Sequence, residues 1–128
     1  MILSLNLKSE TPIYQQIYNQ IVQGIASGAL EPGEKLPTVR GLAEETGINS
    51  MTVNKAYQLL KADGYIFTDR RNGATVQNVF PDVDHLSERD QEQLAMIISR
   101  ASLSGINKEQ FLELCGDIYD QLISGNGR

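Results

Sequence analysis

The fold is decided by residues 36–60, LPTVRGLAEETGINSMTVNKAYQLL, which contain the signals for two helices around one glycine. Thr38 places a capping hydroxyl before the first helix, Gly47 predicts its end in a left-handed conformation, and Asn49 caps the second helix. Apolar residues recur at helical spacing along one side of the second helix: Val53, Ala56, Tyr57, Leu59 and Leu60. We therefore predict a helix-turn-helix over about residues 39–58, with Tyr57 packed in the core rather than stacked on a ligand.

A longer amphipathic helix precedes this motif. Thr11 is the expected N-cap and Pro12 the first helical residue, since proline lacks the N–H that would remain unpaired there. Gly28 is expected to end the helix. Before it, leucines alternate with polar residues over positions 3–7, which is typical of a short strand or an extended arm.

A β-hairpin is predicted after the helix-turn-helix. Residues 65–68 favour a strand, residues 69–73 contain an Asn-Gly turn signal, and residues 74–76 form the returning strand. Three helices followed by a hairpin are the plan of a winged helix-turn-helix. We expect a mainly α chain with a small β-hairpin, in which residues 1–78 form this domain.

Residues 79–128 predict a different unit. A composition change around Pro81 leads to two helix start signals, at Ser87 and Asn107. Each helix has an apolar stripe with little chain left to cover it, and a second copy of the chain is the economical partner. We predict a two-helix dimerisation tail that uses Leu94, Ile97, Ile98, Phe111, Leu114, Ile118 and Leu122.

The exposed side of the second motif helix is suited to DNA. It carries Ser50, Met51, Asn54, Lys55, Gln58 and Lys61. Asn and Gln can form two hydrogen bonds with adenine, Lys contacts phosphate or guanine, and Met can contact the thymine methyl group. Arg70 and Arg71 at the hairpin tip are suited to the DNA backbone or the minor groove.

Several spaced segments resemble one family. They are GALEPGEKLPTVRGLA at 28–43, GIN at 47–49, MTV at 51–53, AYQLL at 56–60 and DGYI at 63–66. Together they resemble the GntR family of bacterial transcription regulators over about residues 11–78. PIYQQI at 12–17 and the short tail are similar to its YtrA subfamily. This resemblance implies a homodimeric repressor on a palindromic operator, often beside transporter genes, with a tail that serves mainly dimerisation.

The resemblance also implies residue roles. Arg40 matches the family's phosphate- or base-contacting arginine, Thr52 its recognition-helix threonine, and Gly73 its wing glycine. Ser50 and Asn54 stand where well-studied members have arginine, so we expect an operator richer in A·T pairs. The DNA-contacting residues that we predict are Thr38, Arg40, Ser50, Met51, Thr52, Asn54, Lys55, Arg70, Arg71 and Gly73.

Charge is unevenly distributed along the 128 residues. The net charge is −5 and the pI about 4.8, which by itself argues against a nucleic-acid partner. Residues 1–78 carry seven positive and seven negative side chains, whereas residues 79–128 carry four positive and nine negative. The acidity therefore belongs to the tail. We expect DNA binding to have a modest salt dependence and to need two copies of the chain.

Other function classes receive little support. The sequence has no phosphate loop, nucleophile elbow or cysteine pair, so we expect neither an enzyme nor a cofactor. We interpret His85, beside Asp84, as part of a solvated linker rather than a metal site, and Cys115 as a core residue rather than a redox sensor. Without a membrane span or signal peptide, the cytoplasm is the expected compartment. The alternative hypothesis is a winged-helix protein–protein module without DNA binding. A tail that senses an unidentified small molecule is compatible with the DNA-binding regulator.

Overall fold

The computed structural model describes residues 3–71, 73–80 and 84–123. In chain order the elements are α1 (Ile13–Ser27), α2 (Val39–Thr46), α3 (Ser50–Ala62), β1 (Ile66–Asp69), β2 (Gly73–Val76), α4 (Glu88–Leu103) and α5 (Lys108–Ile123). They divide into two compact units, Met1–Phe80 and Pro81–Arg128, which we call the winged-helix unit and the tail unit. The predicted class, mainly α with one hairpin, is confirmed.

The predicted caps of the helix-turn-helix are present. The Thr38 hydroxyl accepts a hydrogen bond from the Gly41 N–H at 2.9 Å, and the Asn49 side chain accepts one from the Met51 N–H at 2.7 Å. Gly47 has a φ of 73°, the left-handed conformation that ends α2. Local capping chemistry therefore fixes the turn between α2 and α3.

The start of α1 differs from the prediction. Pro12 occupies the N-cap position, no side chain caps the helix, and the expected role of Thr11 is wrong. The Thr11 carbonyl instead accepts a hydrogen bond from the Gln16 amide at 2.8 Å. Because Gln16 is buried on α1, this bond turns the chain into the helix without a side-chain cap.

Residues 3–6 form an extended arm and not a strand. The Gln16 amide accepts from the Asn6 N–H at 2.8 Å and donates to the Asn6 carbonyl at 2.9 Å. Gln20 makes the equivalent pair of bonds with Ser4, at 2.9 and 2.7 Å. Two glutamine side chains thus satisfy the backbone groups that a neighbouring strand would satisfy.

The hairpin pairs β1 with β2 in antiparallel register from Ile66↔Val76 to Asp69↔Gly73. Gly73 has a φ of 66°, which a side chain would disfavour. The segment before α2 runs along the other edge of β2, where the Leu36 N–H donates to the Ala74 carbonyl at 2.9 Å. Asn72 of the predicted turn lies outside the described residues.

The core of the winged-helix unit lies where α1, α2 and the hairpin pack around α3. Its largest fully buried side chains are Ile17, Ile21, Leu42, Val53, Leu60, Ile66 and Val76. Tyr57 is 2% exposed, so its predicted core position is confirmed, whereas Leu59 is exposed on α3. α3 is therefore held on one side and leaves its opposite side open.

The tail unit contains the two predicted helices and their caps. The Ser87 hydroxyl accepts from the Asp90 N–H at 3.1 Å, and Asn107 and Gln110 form a reciprocal capping box at 2.9 Å in each direction. No described residue of α4 or α5 is buried. Cys115 is exposed, so its predicted core position is wrong for the single chain. None of the described helices has the length and apolar content needed to cross a membrane.

Candidate DNA-binding site

The open side of α3 carries the predicted contact residues. Met51, Asn54, Lys55 and Gln58 are exposed, and Thr52 is half-buried. Met51 is 79% exposed, an unusual position for a large apolar side chain at the start of a helix. Since the buried side of α3 fixes the helix in the core, these side chains are presented on a rigid support.

One flank of α3 faces α2. Arg40 and Ser50 line a shallow open groove together with Val39, Ala43 and Glu44. The structure therefore brings the predicted Arg40 and Ser50 to one surface, and Asn54 follows Ser50 one helical turn later on the same face. Glu44 is exposed on this groove. Its carboxylate repels phosphate and can accept from cytosine amino groups.

The other flank of α3 faces α1. The Lys55 ammonium lies 3.9 Å from the centroid of the Tyr14 ring, in a cation–π contact. Tyr14 is half-buried in the first turn of α1. No sequence signal joins two residues this far apart in the chain, so the contact could not be predicted.

The turn end of the hairpin lies near the start of α2. A Cβ atom added at Gly73 would lie 3.5 Å from the methyl group of Thr38. Arg70 and Arg71 are both exposed in the turn at the wing tip. The structure thus brings Thr38 and Gly73 together, and it carries the two arginines on a short hairpin beside them.

A buried hydrogen bond holds the segment that leads into α2. The Tyr57 hydroxyl donates to the Pro37 carbonyl at 2.8 Å. Burial raises the pKa of Tyr57 well above its usual value of 10.0, and the negative charge of Glu45 adds to the effect. Tyr57 therefore stays protonated and remains a donor, which links the position of α2 to the core side of α3.

The chemistry of this surface is that of anion and base-edge recognition. Arg40, Lys55, Arg70 and Arg71 supply positive charge, and Ser50 and Asn54 supply neutral hydrogen-bonding groups. Over the described ranges, no three His, Cys, Asp or Glu side chains are close enough together to hold a metal ion.

Comparison with known proteins identifies the family. The family model described as "Bacterial regulatory proteins, gntR family" matches residues 13–76, from the start of α1 to the end of β2. The chain belongs to the GntR family. The match spans α2, α3 and both strands, so the α2–α3 pair is the helix-turn-helix of a GntR regulator and the hairpin is its wing.

Relatives of similar length support this identification. The HTH-type transcriptional repressor YtrA of Bacillus subtilis (strain 168) is 34% identical over 125 residues, which cover 96% of each chain. A Listeria monocytogenes EGD-e crystal structure, described as a transcriptional antiterminator, has a TM-score of 0.84 at 30% identity and covers 96% of this chain and 93% of its own. YtrA from Sulfolobus acidocaldarius, a GntR-family transcription factor, has a TM-score of 0.56 at 36% identity, with 93% and 97% covered. The predicted DNA-binding regulator of the GntR family, similar to YtrA, is confirmed.

Proposed function

We propose that this GntR regulator is a cytoplasmic homodimeric repressor that binds a palindromic operator. The observation that carries the proposal is the combination of an open recognition helix, α3, with a tail unit in which no described residue of either helix is buried. The similarity to a protein named as a transcriptional repressor, over 96% of the chain, supports repression rather than activation. Membership of a family of regulatory proteins favours DNA binding over a protein–protein module.

The tail supports a second copy as the dimer partner. Of the seven predicted dimerisation residues, six are exposed and Phe111 is half-buried. On α5 a second apolar stripe runs beside the first through Leu112 and Tyr119, which are each 57% exposed. One neighbouring helix covers only one such stripe, so α5 needs two apolar neighbours. A dimer that pairs the tails would supply them.

The DNA contacts divide between the phosphates and the bases. We assign Arg40, Lys55 and the two wing arginines to phosphates, because their charges lie around the recognition helix. We assign Asn54 to adenine and Met51 to a thymine methyl group. The operator should therefore have A·T pairs at the positions that these two side chains contact.

Selection of bound duplexes from a random pool by the full chain tests the operator. We expect enriched palindromes whose half-sites are one helical turn apart, or a multiple of it, with A·T pairs at the contacted positions. G·C pairs at those positions would refute the assignment of Asn54 and Met51. No enrichment of any sequence would refute the function and favour a protein–protein module.

Light scattering of the purified chain tests the dimer. Ile118→Glu places a charge in the first stripe of α5 and should yield a monomer. Leu103→Glu is the matched control, because Leu103 is 90% exposed and lies on α4 away from the predicted stripe. A wild-type chain that is monomeric at micromolar concentration would refute the homodimer.

A further inference from the structure

The contact between Lys55 and Tyr14 joins the recognition helix to the first turn of α1. Its distance of 3.9 Å from ammonium to ring centroid is well inside the range in which a cation and an aromatic ring attract each other. Tyr14 is half-buried and so has little freedom to move, whereas Lys55 is an exposed side chain with four rotatable bonds. The ring therefore restricts the lysine more than the lysine restricts the ring.

The charge of Lys55 remains available in this arrangement. Among the residues that the structure describes, no carboxylate forms an ion pair with Lys55. The first turn of α1 carries no acidic residue, and its N-terminus has no side-chain cap. A helix N-terminus carries partial positive charge and does not attract an ammonium, so the ring supplies the attraction that places it there. An ammonium has three N–H donors, and a ring on one side leaves donors for a phosphate on another.

We infer that Tyr14 is a positioning residue, which orders Lys55 before DNA arrives so that its ammonium meets a backbone phosphate. This inference rests on the proposed assignment of Lys55 to phosphate. Ordering a lysine side chain in advance removes part of the conformational entropy that binding would otherwise lose. The contact acts on affinity for any sequence, because phosphates carry no base information.

A double-mutant cycle on a fluorescein-labelled duplex of mixed sequence tests the inference. Tyr14→Leu removes the π system and keeps an apolar side chain, Tyr14→Phe keeps the π system, and Lys55→Gln removes the cation. We expect Tyr14→Leu to weaken binding about two- to fivefold for each winged-helix unit bound, and Tyr14→Phe to bind as the wild type does. In the Lys55→Gln background, Tyr14→Leu should have no further effect.

The possible failures are distinguishable. An equal loss on Tyr14→Leu in both lysine backgrounds would overturn the inference, since Tyr14 would then act through the fold. Stronger binding by Tyr14→Leu would also overturn it, because the ring would be sequestering the lysine. If Lys55→Gln changes neither affinity nor salt dependence, the phosphate assignment fails and the inference fails with it, whereas DNA binding by the wild type still stands.

Nuclear magnetic resonance of the free protein provides a readout that a purely structural role would not change. Protons beside an aromatic face resonate upfield, so the Lys55 ε-methylene protons should be shifted upfield in the wild type and in Tyr14→Phe. They should return to ordinary lysine positions in Tyr14→Leu. Ordinary positions in the wild type would overturn the inference directly.

Discussion

The salt dependence of DNA binding follows from the four exposed cations around the recognition helix. In the proposed dimer on a palindrome, Arg40, Lys55, Arg70 and Arg71 of the two copies would make eight phosphate contacts. Each neutralised phosphate on duplex DNA contributes about 0.9 to the slope of log affinity against log salt, so we expect a slope of about −7. This slope is steeper than the modest dependence expected from the net charge of residues 1–78, because it counts the cations that the structure exposes around α3 and not their balance with the acidic residues. Raising the salt concentration from about 50 to 200 mM should then weaken binding by about four orders of magnitude.

Arg40→Gln tests the origin of this slope. The substitution removes two contacts from a dimer, and the slope should fall in magnitude from about 7 to about 5. Lys8→Gln is the matched control, because it makes the same change of net charge at an exposed position before α1, outside the residues that we assign to DNA. Fluorescence anisotropy of a labelled operator, titrated at several salt concentrations, measures each slope.

Three results would refute this reasoning in different ways. Equal decreases for the arginine variant and its control would mean that the slope reports net charge and not contacts. A wild-type slope of about −3 to −4 would mean that only one winged-helix unit engages the DNA. An unchanged slope for Arg40→Gln would remove Arg40 from the phosphate contacts.

Three further predictions concern single side chains. Tyr57→Phe should lower the free energy of unfolding by about 1–2 kcal/mol in denaturant titrations, because the Pro37 carbonyl loses its donor. The wild type should also lose stability above pH 10, where the unfolded tyrosine ionises and the buried one does not, and an identical alkaline profile in the variant would contradict this. Gln16→Ala should lower the free energy of unfolding by about 2–4 kcal/mol, since two hydrogen bonds to Asn6 in the arm and one to the Thr11 carbonyl disappear, whereas Gln15→Ala should change it by less than about 0.5 kcal/mol. Asn54→Ala should alter base preference in the random-pool selection, and an unchanged preference would exclude Asn54 as a base contact.

Most of the fold could be predicted from the sequence because its signals are local. The Thr38 and Asn49 caps, the left-handed Gly47 and the Asn107–Gln110 capping box each depend on residues within four positions of one another. The start of α1 was predicted incorrectly because a distant competitor decides it. The Gln16 side-chain amide donates to both the Thr11 carbonyl and the Asn6 carbonyl of the arm. A capping rule that considers only Thr11 and Pro12 does not include this side chain.

The candidate site could be predicted as a list of residues but not as an arrangement. Helical periodicity placed Ser50, Asn54 and Lys55 on the exposed side of α3, and the structure agrees. Which neighbour each residue meets depends on how α1 and α2 pack against α3, and single-sequence periodicity does not contain that information. The groove position of Glu44 and the ring beneath Lys55 are both consequences of this packing.

Added salt should favour pairing of the tails and weaken DNA binding by the winged-helix unit, and this links the acidic tail to DNA binding. The tail residues 79–128 carry nine negative and four positive side chains, so two paired tails repel each other at low salt. Screening at higher salt weakens that repulsion and favours the dimer, whereas the same screening weakens the phosphate contacts of the winged-helix unit. Below the protein concentration at which the tails pair, added salt would therefore strengthen dimerisation while it weakens DNA binding. The observed slope of log affinity against log salt would then be shallower than the slope of a preformed dimer. A slope that becomes steeper as protein concentration rises is consequently the behaviour expected of a regulator whose acidity is confined to the tail.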